Sequence, residues 1–207
     1  MSETLHPSKK KLLDAALRVI RAKGYSATRI EDVCAVAGVT KGSFFHHFKS
    51  KDDLALAAAD YWSVTTGALF AGAAYHAHAD PLDRILAYVD FRKSLLQGEI
   101  EEFTCLVGTM VQEAFATEPA IRAACEASIS SHAETLEGDI AAAIELYGVE
   151  ASWSAKSLAL HTQAVLQGAF ILAKAKGGPE IAEESVDHLR RYIELLFARA
   201  PAVRSAS

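Results

Sequence analysis

Residues that break helices are scarce throughout this chain of 207 amino acids. It contains 12 glycines and 5 prolines, about 8% of its residues, whereas these two types average about 12% in proteins. Alanine, the strongest helix former, occurs 39 times. No stretch alternates between apolar and polar residues in the way that favours β-strands. The chain is therefore predicted to adopt an all-α fold.

The composition also excludes several classes of protein. With 51% hydrophobic and 23% charged residues, the chain can bury a sizeable core, which argues against wholesale disorder. No run approaches the ~18 uninterrupted apolar residues of a membrane span, and residues 1–7 lack the charged-then-apolar order of a signal peptide. Three scattered cysteines do not suggest a disulfide framework. We expect a soluble, cytoplasmic protein with no membrane partner.

The net charge of −5 conceals a strong asymmetry along the chain. Residues 1–51 contain ten lysines and arginines but only four acidic residues, which gives this segment a charge of +6. Residues 52–207 carry a charge of −11. A basic segment joined to an acidic body suggests that the first quarter of the chain binds a polyanion. A solvated, lysine-rich helix is the alternative explanation.

Three short segments near the amino terminus show the apolar spacing of helices, at residues 9–23, 30–37 and 41–48. Thr28 and Glu31 predict a capping box at the start of the second segment. A glycine-containing turn precedes the third. Three short helices in this order are typical of the helix-turn-helix motif.

The remainder of the chain predicts six further helices, about nine in total. We predict a helix-turn-helix domain at residues 1–51 and a larger helical domain at residues 52–200. Within the latter, residues 52–78 would form a linking fourth helix. Residues 201–207 are expected to be a disordered tail.

The densest motif lies in residues 26–54, which read SATRIEDVCAVAGVTKGSFFHHFKSKDDL. This order closely resembles the DNA-binding signature of TetR-family transcriptional regulators, and the similarity covers roughly residues 9–62. The resemblance implies a helix-turn-helix domain followed by a helical ligand-binding and dimerisation domain. It also implies a homodimer that binds double-stranded operator DNA. We interpret the chain as a repressor that a small-molecule effector releases from DNA.

The resemblance and the side-chain chemistry together predict the DNA contacts. Thr40 begins the recognition helix and can meet a phosphate, while Lys41 can bind phosphate or a guanine edge. Gly42 would let the backbone approach DNA closely. The predicted DNA-binding residues are Thr28, Arg29, Thr40, Lys41, Gly42, Ser43, Phe45, His46, His47 and Lys51.

Phe45 departs from the family pattern. Members commonly carry tyrosine at this position, and its hydroxyl commonly binds phosphate. Phe45 keeps the ring but lacks the hydroxyl donor. We expect its ring to pack on a sugar or a thymine methyl group instead.

The helices after residue 80 are expected to contain the dimer interface. Small and apolar residues recur every fourth position in one predicted helix, so one of its faces can approach another helix closely. Packing within the same chain is the alternative use of that face. The predicted interface residues are Leu160, Ala164, Gly168, Leu172, Leu189 and Ile193.

The same domain is expected to bind the effector. Its aromatic and flexible apolar side chains favour an apolar or aromatic molecule over a sugar or a nucleotide. Each of these residues could also be ordinary core or surface. The predicted ligand-binding residues are Trp62, Phe103, Cys105, Leu106, Thr109, Met110, Glu113, His161, Gln167 and Phe170.

Cys105 suggests an alternative mode of sensing. Residues 103–108, FTCLVG, are similar to a segment in a family branch that includes electrophile- and oxidant-sensing repressors. Lys174, if it lies nearby, would make the thiol more reactive. A role as a small buried hydrophobic residue is the simpler interpretation.

No metal-binding, nucleotide-binding or nucleophile motif is found in the sequence. We therefore predict no metal, no cofactor and no enzymatic activity. A helical enzyme would need a convergent acid–base pair, such as Glu113 with His161. A helical ligand-binding protein without DNA affinity is the remaining alternative, because Phe45 lacks the usual hydroxyl.

Overall fold

The computed structural model describes residues 5–198. Over this range the backbone forms ten α-helices and one 3-10 helix, Ala74–Ala77, and contains no β-strand. The predicted all-α fold class is confirmed. The α-helices are α1 Pro7–Lys23, α2 Ile30–Ala37, α3 Lys41–His47, α4 Lys51–Ala71, α5 Pro81–Ser94, α6 Ile100–Phe103, α7 Leu106–Ala114, α8 Pro119–Tyr147, α9 Ala155–Lys176 and α10 Glu180–Phe197.

Two helices differ from the sequence prediction. The fourth helix ends at Ala71 rather than near residue 78, because Gly72 (φ −88°, ψ 1°) leaves the α-helical conformation and Ala73 (φ −78°, ψ 147°) is extended. The helix predicted at residues 103–116 begins only at Leu106, and the additional helix α6 lies at Ile100–Phe103, where a break was expected. Thr104 and Cys105 adopt extended backbone angles between α6 and α7. The additional helix explains why ten α-helices are found where about nine were expected.

The start of α2 also differs from the predicted capping box. The Asp32 carboxylate accepts the Arg29 backbone N–H at 2.9 Å. Thr28 instead donates its hydroxyl to the Gly24 carbonyl at 2.6 Å. The predicted pairing of Thr28 with Glu31 is therefore wrong, because the helix begins one residue later than the Thr28 cap would require.

The turn between α2 and α3 gives the helix-turn-helix its geometry. Gly38 ends α2 with φ +65°, a left-handed conformation that suits glycine. Thr40 then caps α3, and its hydroxyl oxygen accepts the Ser43 backbone N–H at 3.2 Å. On the inner side of α3, Phe44 and Phe48 are buried with their ring centroids 5.7 Å apart. These aromatic anchors determine which side of α3 faces outward.

The described chain forms two compact units whose limits differ from the predicted domain boundary at residue 52. The first unit contains the described residues up to Gly72 together with Gln97–Ser130. The second contains Ala73–Leu96 together with the described residues from Ser131 onward. The predicted tail at 201–207 lies outside the described residues.

In the first unit, α6 and α7 lie with the helix-turn-helix because they complete its core. Leu106 and Met110 of α7 are fully buried in the same cluster as Leu13 and Ile20 of α1 and Leu54 of α4. Both α6 and α7 pack against α1. A segment far along the chain is thus built into the amino-terminal core.

The second unit is centred on α5, α9 and α10. The last helix packs against both α5 and α9. Ile85, Leu166, Val186 and Ile193 are among its buried side chains. Their burial supplies the hydrophobic core of this unit.

Candidate functional site

The outward side of α3 carries most of the predicted DNA contacts. Because Phe44 is fully buried below the helix, Lys41, Gly42, Phe45 and His46 are exposed. Phe45 is 56% exposed, an unusually high exposure for a phenylalanine on the surface of a single chain. The helix thus presents one cation, one imidazole and one free aromatic ring to solvent.

Lys41 has an acidic partner in the isolated chain. It forms an ion pair with Glu31 of α2, and both side chains are 57% exposed. The hydrogen bond from Lys41 holds the pKa of Glu31 below its usual range. A phosphate that binds Lys41 must therefore compete with Glu31 for the ammonium group.

Folding does not require glycine at position 42. A Cβ atom built there would meet only Thr40 Oγ1, at an ordinary 3.7 Å. The backbone of Gly42 lies in α3 without an unusual φ angle. The absent side chain leaves a shallow surface beside Lys41.

Two of the residues predicted to contact DNA form hydrogen bonds within the protein instead. Thr28 is only 2% exposed, so its side chain cannot reach DNA, and this prediction is corrected; its neighbour Arg29 is exposed. The Lys51 ammonium donates to the Tyr25 carbonyl at 3.2 Å and the Ser26 carbonyl at 3.4 Å. It also lies 4.4 Å from the Tyr25 ring centroid. Lys51 therefore stabilises the turn after α1.

His47 lies at the other end of α3 and is half-buried against α1. Its Nε2 lies 2.6 Å from Ser8 Oγ, and His6 Nδ1 lies 2.7 Å from the same oxygen. His6 and Ser8 were not among the predicted contacts. No sequence signal identifies them, because 39 residues separate Ser8 from His47.

The predicted ligand-binding residues are divided between the two units. Seven lie in the first unit and three in the second. In the first unit the Glu113 carboxylate is exposed and accepts the Ser26 N–H at 2.7 Å, so Glu113 ties α7 to the turn after α1. The others in that unit are the buried Phe103, Leu106, Thr109 and Met110 and the half-buried Trp62 and Cys105.

In the second unit, Phe170 is buried and the Arg92 guanidinium lies 5.8 Å from its ring centroid. Gln167 is half-buried. His161 is exposed, and its ring stacks beside Tyr192 of α10 at 5.1 Å. His161 therefore belongs to the outer surface of its unit, and it lies in a different unit from Glu113, the partner that an acid–base pair would need.

A buried polar network in the second unit escaped sequence analysis. Gln163 Nε2 donates to the Tyr88 hydroxyl at 3.3 Å, and that hydroxyl lies 3.0 Å from His132 Nε2. Burial, with a smaller contribution from Arg92, lowers the pKa of His132 from 6.5 to about 4. His132 is therefore neutral at physiological pH and can accept the Tyr88 hydrogen.

Cys105 occupies a distinctive position among the three free thiols. Its Sγ accepts the Gly108 N–H at 3.4 Å, which makes Cys105 the amino-terminal cap of α7. It is half-buried, whereas Cys34 and Cys125 are buried. Burial raises the pKa of Cys125 to about 12. Cys105 is thus the most accessible of the three thiols.

The cation beside Cys105 in the first unit is Arg21. Its guanidinium donates to the carbonyls of Glu102 at 3.1 Å and Thr104 at 3.2 Å, and lies 5.1 Å from the Trp62 ring centroid. Lys174, the cation suggested by the sequence, is an exposed residue of α9 in the second unit. Arg21 therefore connects α1 directly to the residues that precede α7.

Four of the predicted interface residues follow one side of α9. Leu160 and Leu172 are 40% and 45% exposed, and Ala164 between them is also exposed. Gly168 is half-buried. An apolar, small-residue surface of this kind is characteristic of close helix packing.

The two predicted interface residues of α10 behave differently. Leu189 and Ile193 are buried within the second unit, so neither is available at its surface. This prediction is corrected: the helical register turns both residues towards α5 and α9. Leu195 is the most exposed large apolar residue of α10.

Metal and membrane sites were sought over residues 5–198. In this range no group of three or more histidine, cysteine, aspartate or glutamate side chains is arranged to hold a metal ion. None of the described helices combines the length and apolar character needed to span a bilayer.

Known proteins share this fold. Family models match residues 12–58 ("Bacterial regulatory proteins, tetR family") and 81–189 ("Tetracyclin repressor-like, C-terminal domain"). Regulatory protein TetR from Rhodobacter sphaeroides matches 90% of this chain and 99% of its own, with a TM-score of 0.80 and 23% identity. A TetR transcriptional regulator from Chloroflexus aurantiacus matches 90% of this chain and 94% of its own, with a TM-score of 0.76 and 28% identity.

Curated relatives match shorter stretches. The transcriptional regulator AcuR of Cereibacter sphaeroides is 30% identical over 113 residues, 55% of this chain and 52% of AcuR. The HTH-type transcriptional regulator CymR of Pseudomonas putida is 53% identical over 47 residues, 23% of each chain. The chain thus spans about half or less of the length of these two relatives. Since the two family models cover most of its helices, the chain belongs to the TetR family of transcriptional regulators, which are DNA-binding proteins and not enzymes.

Proposed function

We propose that this protein is a homodimeric repressor that leaves its operator when a small apolar or aromatic effector binds. The observation that carries this proposal is the exposed outer side of α3, with Lys41, Gly42, Phe45 and His46. These residues combine a phosphate-binding cation, an open backbone surface and an apolar ring that suits a thymine methyl group. In this proposal α3 lies in the major groove.

Contacts inside the first unit support a response to a ligand. Arg21 of α1 bonds to the carbonyls of Glu102 and Thr104, and Glu113 of α7 holds the Ser26 N–H. A displacement of α6 or α7 would therefore act on the helix that supports α3. Coupling of only ~1–3 kcal/mol between effector and DNA would change affinity about 5–150-fold.

The outer side of α9 supports dimerisation. Leu160, Ala164, Gly168 and Leu172 provide an apolar surface with little side-chain bulk at its centre. A dimer also explains how a short helix-turn-helix gains selectivity, because two recognition helices read half-sites roughly 34–36 Å apart or a multiple of it. The expected complex contains two chains per operator.

The apolar side chains around α7 support an apolar or aromatic effector. Phe103, Leu106 and Met110 are buried and Trp62 is half-buried in the first unit. We propose that the effector replaces contacts among such residues. A sugar or nucleotide would need more polar partners than these residues offer.

DNA binding by variants of the α2–α3 ion pair tests this function. Lys41→Ala should weaken binding to DNA from upstream of the protein's own gene by about threefold to tenfold, and should lower the salt slope by about one per chain. Glu31→Gln should strengthen binding by about threefold, because it frees Lys41 and removes a carboxylate next to phosphate. Fluorescence anisotropy at several salt concentrations measures both effects.

The same experiment separates the competing functions. Light scattering of the complex counts the chains per duplex, and a compound screen identifies effectors by release of the DNA. If the protein neither binds promoter DNA nor enriches any duplex from a random pool, it is a ligand-binding relative without a DNA-reading role. Unchanged affinity in both variants would contradict the proposed docking of α3.

A thiol sensor of the same fold is the second candidate function. It is favoured by the position of Cys105, which is half-buried, caps α7 and lies next to the residue held by Arg21. The partial exposure of Cys105 leaves its thiol open to a thiol-directed reagent. Modification of Cys105 would disturb the start of α7, which packs on α1.

Alkylation of the native protein tests this second candidate. Iodoacetamide should modify Cys105 before the buried Cys34 and Cys125, and the modified protein should bind DNA less tightly. Cys105→Ser provides the control, since it retains a polar cap but should be insensitive to the reagent. Protection of Cys105 until the protein is denatured would refute thiol sensing.

A further inference from the structure

Three imidazole rings meet where α1 begins and α3 ends. The ring centroids of His6 and His47 are 5.2 Å apart, and those of His46 and His47 are 4.8 Å apart. Ser8 joins the first pair through its hydroxyl. We propose that this histidine cluster (His6, His46 and His47) contacts a DNA phosphate and takes up a proton when it does so, so that DNA binding strengthens as the pH falls.

The hydrogen bonds give the cluster a defined protonation pattern. His6 Nδ1 accepts the Ser8 backbone N–H at 3.3 Å, so this nitrogen carries no proton. The Ser8 hydroxyl consequently donates to His6 Nδ1 at 2.7 Å and accepts from His47 Nε2 at 2.6 Å. His47 Nδ1 is then the acceptor nitrogen of its ring. A further proton can bind there without breaking the chain of hydrogen bonds.

The protein itself does little to stabilise an additional positive charge at His47. Burial lowers the pKa of His47, and the neighbouring His46, His6 and Lys9 act in the same direction. Lys9 lies against Phe48 at the end of α3, with its ammonium 5.7 Å from the ring centroid. Within residues 5–198, the charged groups that act on His47 are thus all basic.

Carboxylates on the neighbouring elements are engaged with other partners. On α1, Asp14 bonds to Lys10 and Tyr61. On α2, Glu31 pairs with Lys41 at the opposite end of α3. Asp32, also on α2, pairs with Lys23. At the start of α4, Asp52 is bonded to the Tyr25 hydroxyl and Asp53 accepts the Lys49 N–H. Within residues 5–198, none of these carboxylates is paired with the cluster, so we assign the stabilising anion to DNA.

A DNA phosphate provides that anion. If the outer side of α3 lies on DNA, as the proposed function requires, the end of α3 that carries His46 and His47 also faces the duplex. An opposite charge nearby favours the charged imidazole and raises its pKa in the complex. A group whose pKa rises on binding takes up a proton, and affinity then increases as the pH falls between the two pKa values.

The pH dependence of DNA affinity tests this inference. The probe is a fluorescein-labelled duplex that the purified protein has selected from a random pool, used at constant ionic strength. We expect the affinity of the unmodified protein to rise about fivefold to tenfold between pH 8.0 and pH 5.5. Calorimetric titrations in two buffers of different ionisation enthalpy should show uptake of a fraction of a proton per chain, at most about half, near pH 6.5.

Variants that keep the hydrogen bonds but cannot titrate complete the test. His47→Gln retains a donor to Ser8, and His6→Asn retains an acceptor that can cap α1. The triple variant, which adds His46→Gln, should show less than a twofold pH effect, while His188→Gln, at an exposed position of α10, should behave like the unmodified protein. Thermal unfolding at both pH values verifies that each variant is folded.

The outcomes separate this inference from the proposed function. Salt-dependent DNA binding with a flat pH profile, or an equal pH effect in the triple variant, would overturn proton uptake by the cluster and leave DNA reading by α3 intact. If the unmodified protein enriched no duplex from the random pool at either pH, both would be overturned.

Discussion

Replacing Phe44 with alanine is expected to reduce the free energy of unfolding of the first unit by about 3–5 kcal/mol and to abolish operator binding. The ring is fully buried and packs on Phe48, so its removal leaves a cavity beneath α3. A seven-residue helix has little stability of its own and depends on this packing. Urea unfolding followed by circular dichroism, with anisotropy for DNA binding, measures both effects.

The adjacent aromatic residue is the matched control. Phe45 is 56% exposed and touches Phe44 edge-on, with ring centroids 5.2 Å apart. Phe45→Ala should therefore change the free energy of unfolding by less than about 1 kcal/mol, yet weaken DNA binding severalfold through loss of its contact with DNA. Equal destabilisation by the two substitutions would contradict the assignment of Phe44 to the core and of Phe45 to DNA contact.

Acidification is expected to destabilise the second unit through His132. The pKa of this imidazole is about 4 in the folded protein and 6.5 in the unfolded chain, so the folded state disfavours the proton. The resulting stability is fully present above pH 6.5 and is lost as the pH falls towards 4. Between pH 7.5 and pH 4.5 the loss from this group should be about 2–3 kcal/mol.

His132→Gln isolates this contribution from that of the carboxylates. The amide does not titrate and can still accept a hydrogen bond from the Tyr88 hydroxyl, which lies 3.0 Å from the imidazole in the native protein. Urea unfolding should show that the free energy of unfolding decreases between pH 7.5 and pH 4.5 by about 2–3 kcal/mol less in the variant than in the unmodified protein. Parallel curves for the two proteins would mean that His132 is not held neutral.

The helices and their ends could largely be predicted from the sequence. Thr40, which was expected to begin α3, accepts the backbone N–H three residues on, and Ser50 does the same at the start of α4. Such caps depend on neighbouring residues only, and apolar spacing identifies the buried side of a helix. The short helix α6 was missed, because Gly98 and the acidic residues after it indicated a break between helices.

The candidate site was predictable where it depends on one helix. Burial of Phe44 implies that Gly42 and His46, on the opposite side of α3, face outward, and both are exposed. The prediction was wrong for Thr28, whose hydroxyl is buried at the turn after α1. It also did not foresee the engagement of Lys51 with backbone carbonyls, since those carbonyls belong to a distant turn.

The sequence by itself determined the helical class, the helix-turn-helix and the family, because these follow from periodic apolar residues, caps and a short motif. Only the tertiary structure decided which side chains are free to act: it paired Lys41 with Glu31, joined His6 to His47 through Ser8, and turned Leu189 into the core. These contacts link residues from different helices. Their formation depends on the way the helices pack, and no local pattern in the chain encodes it.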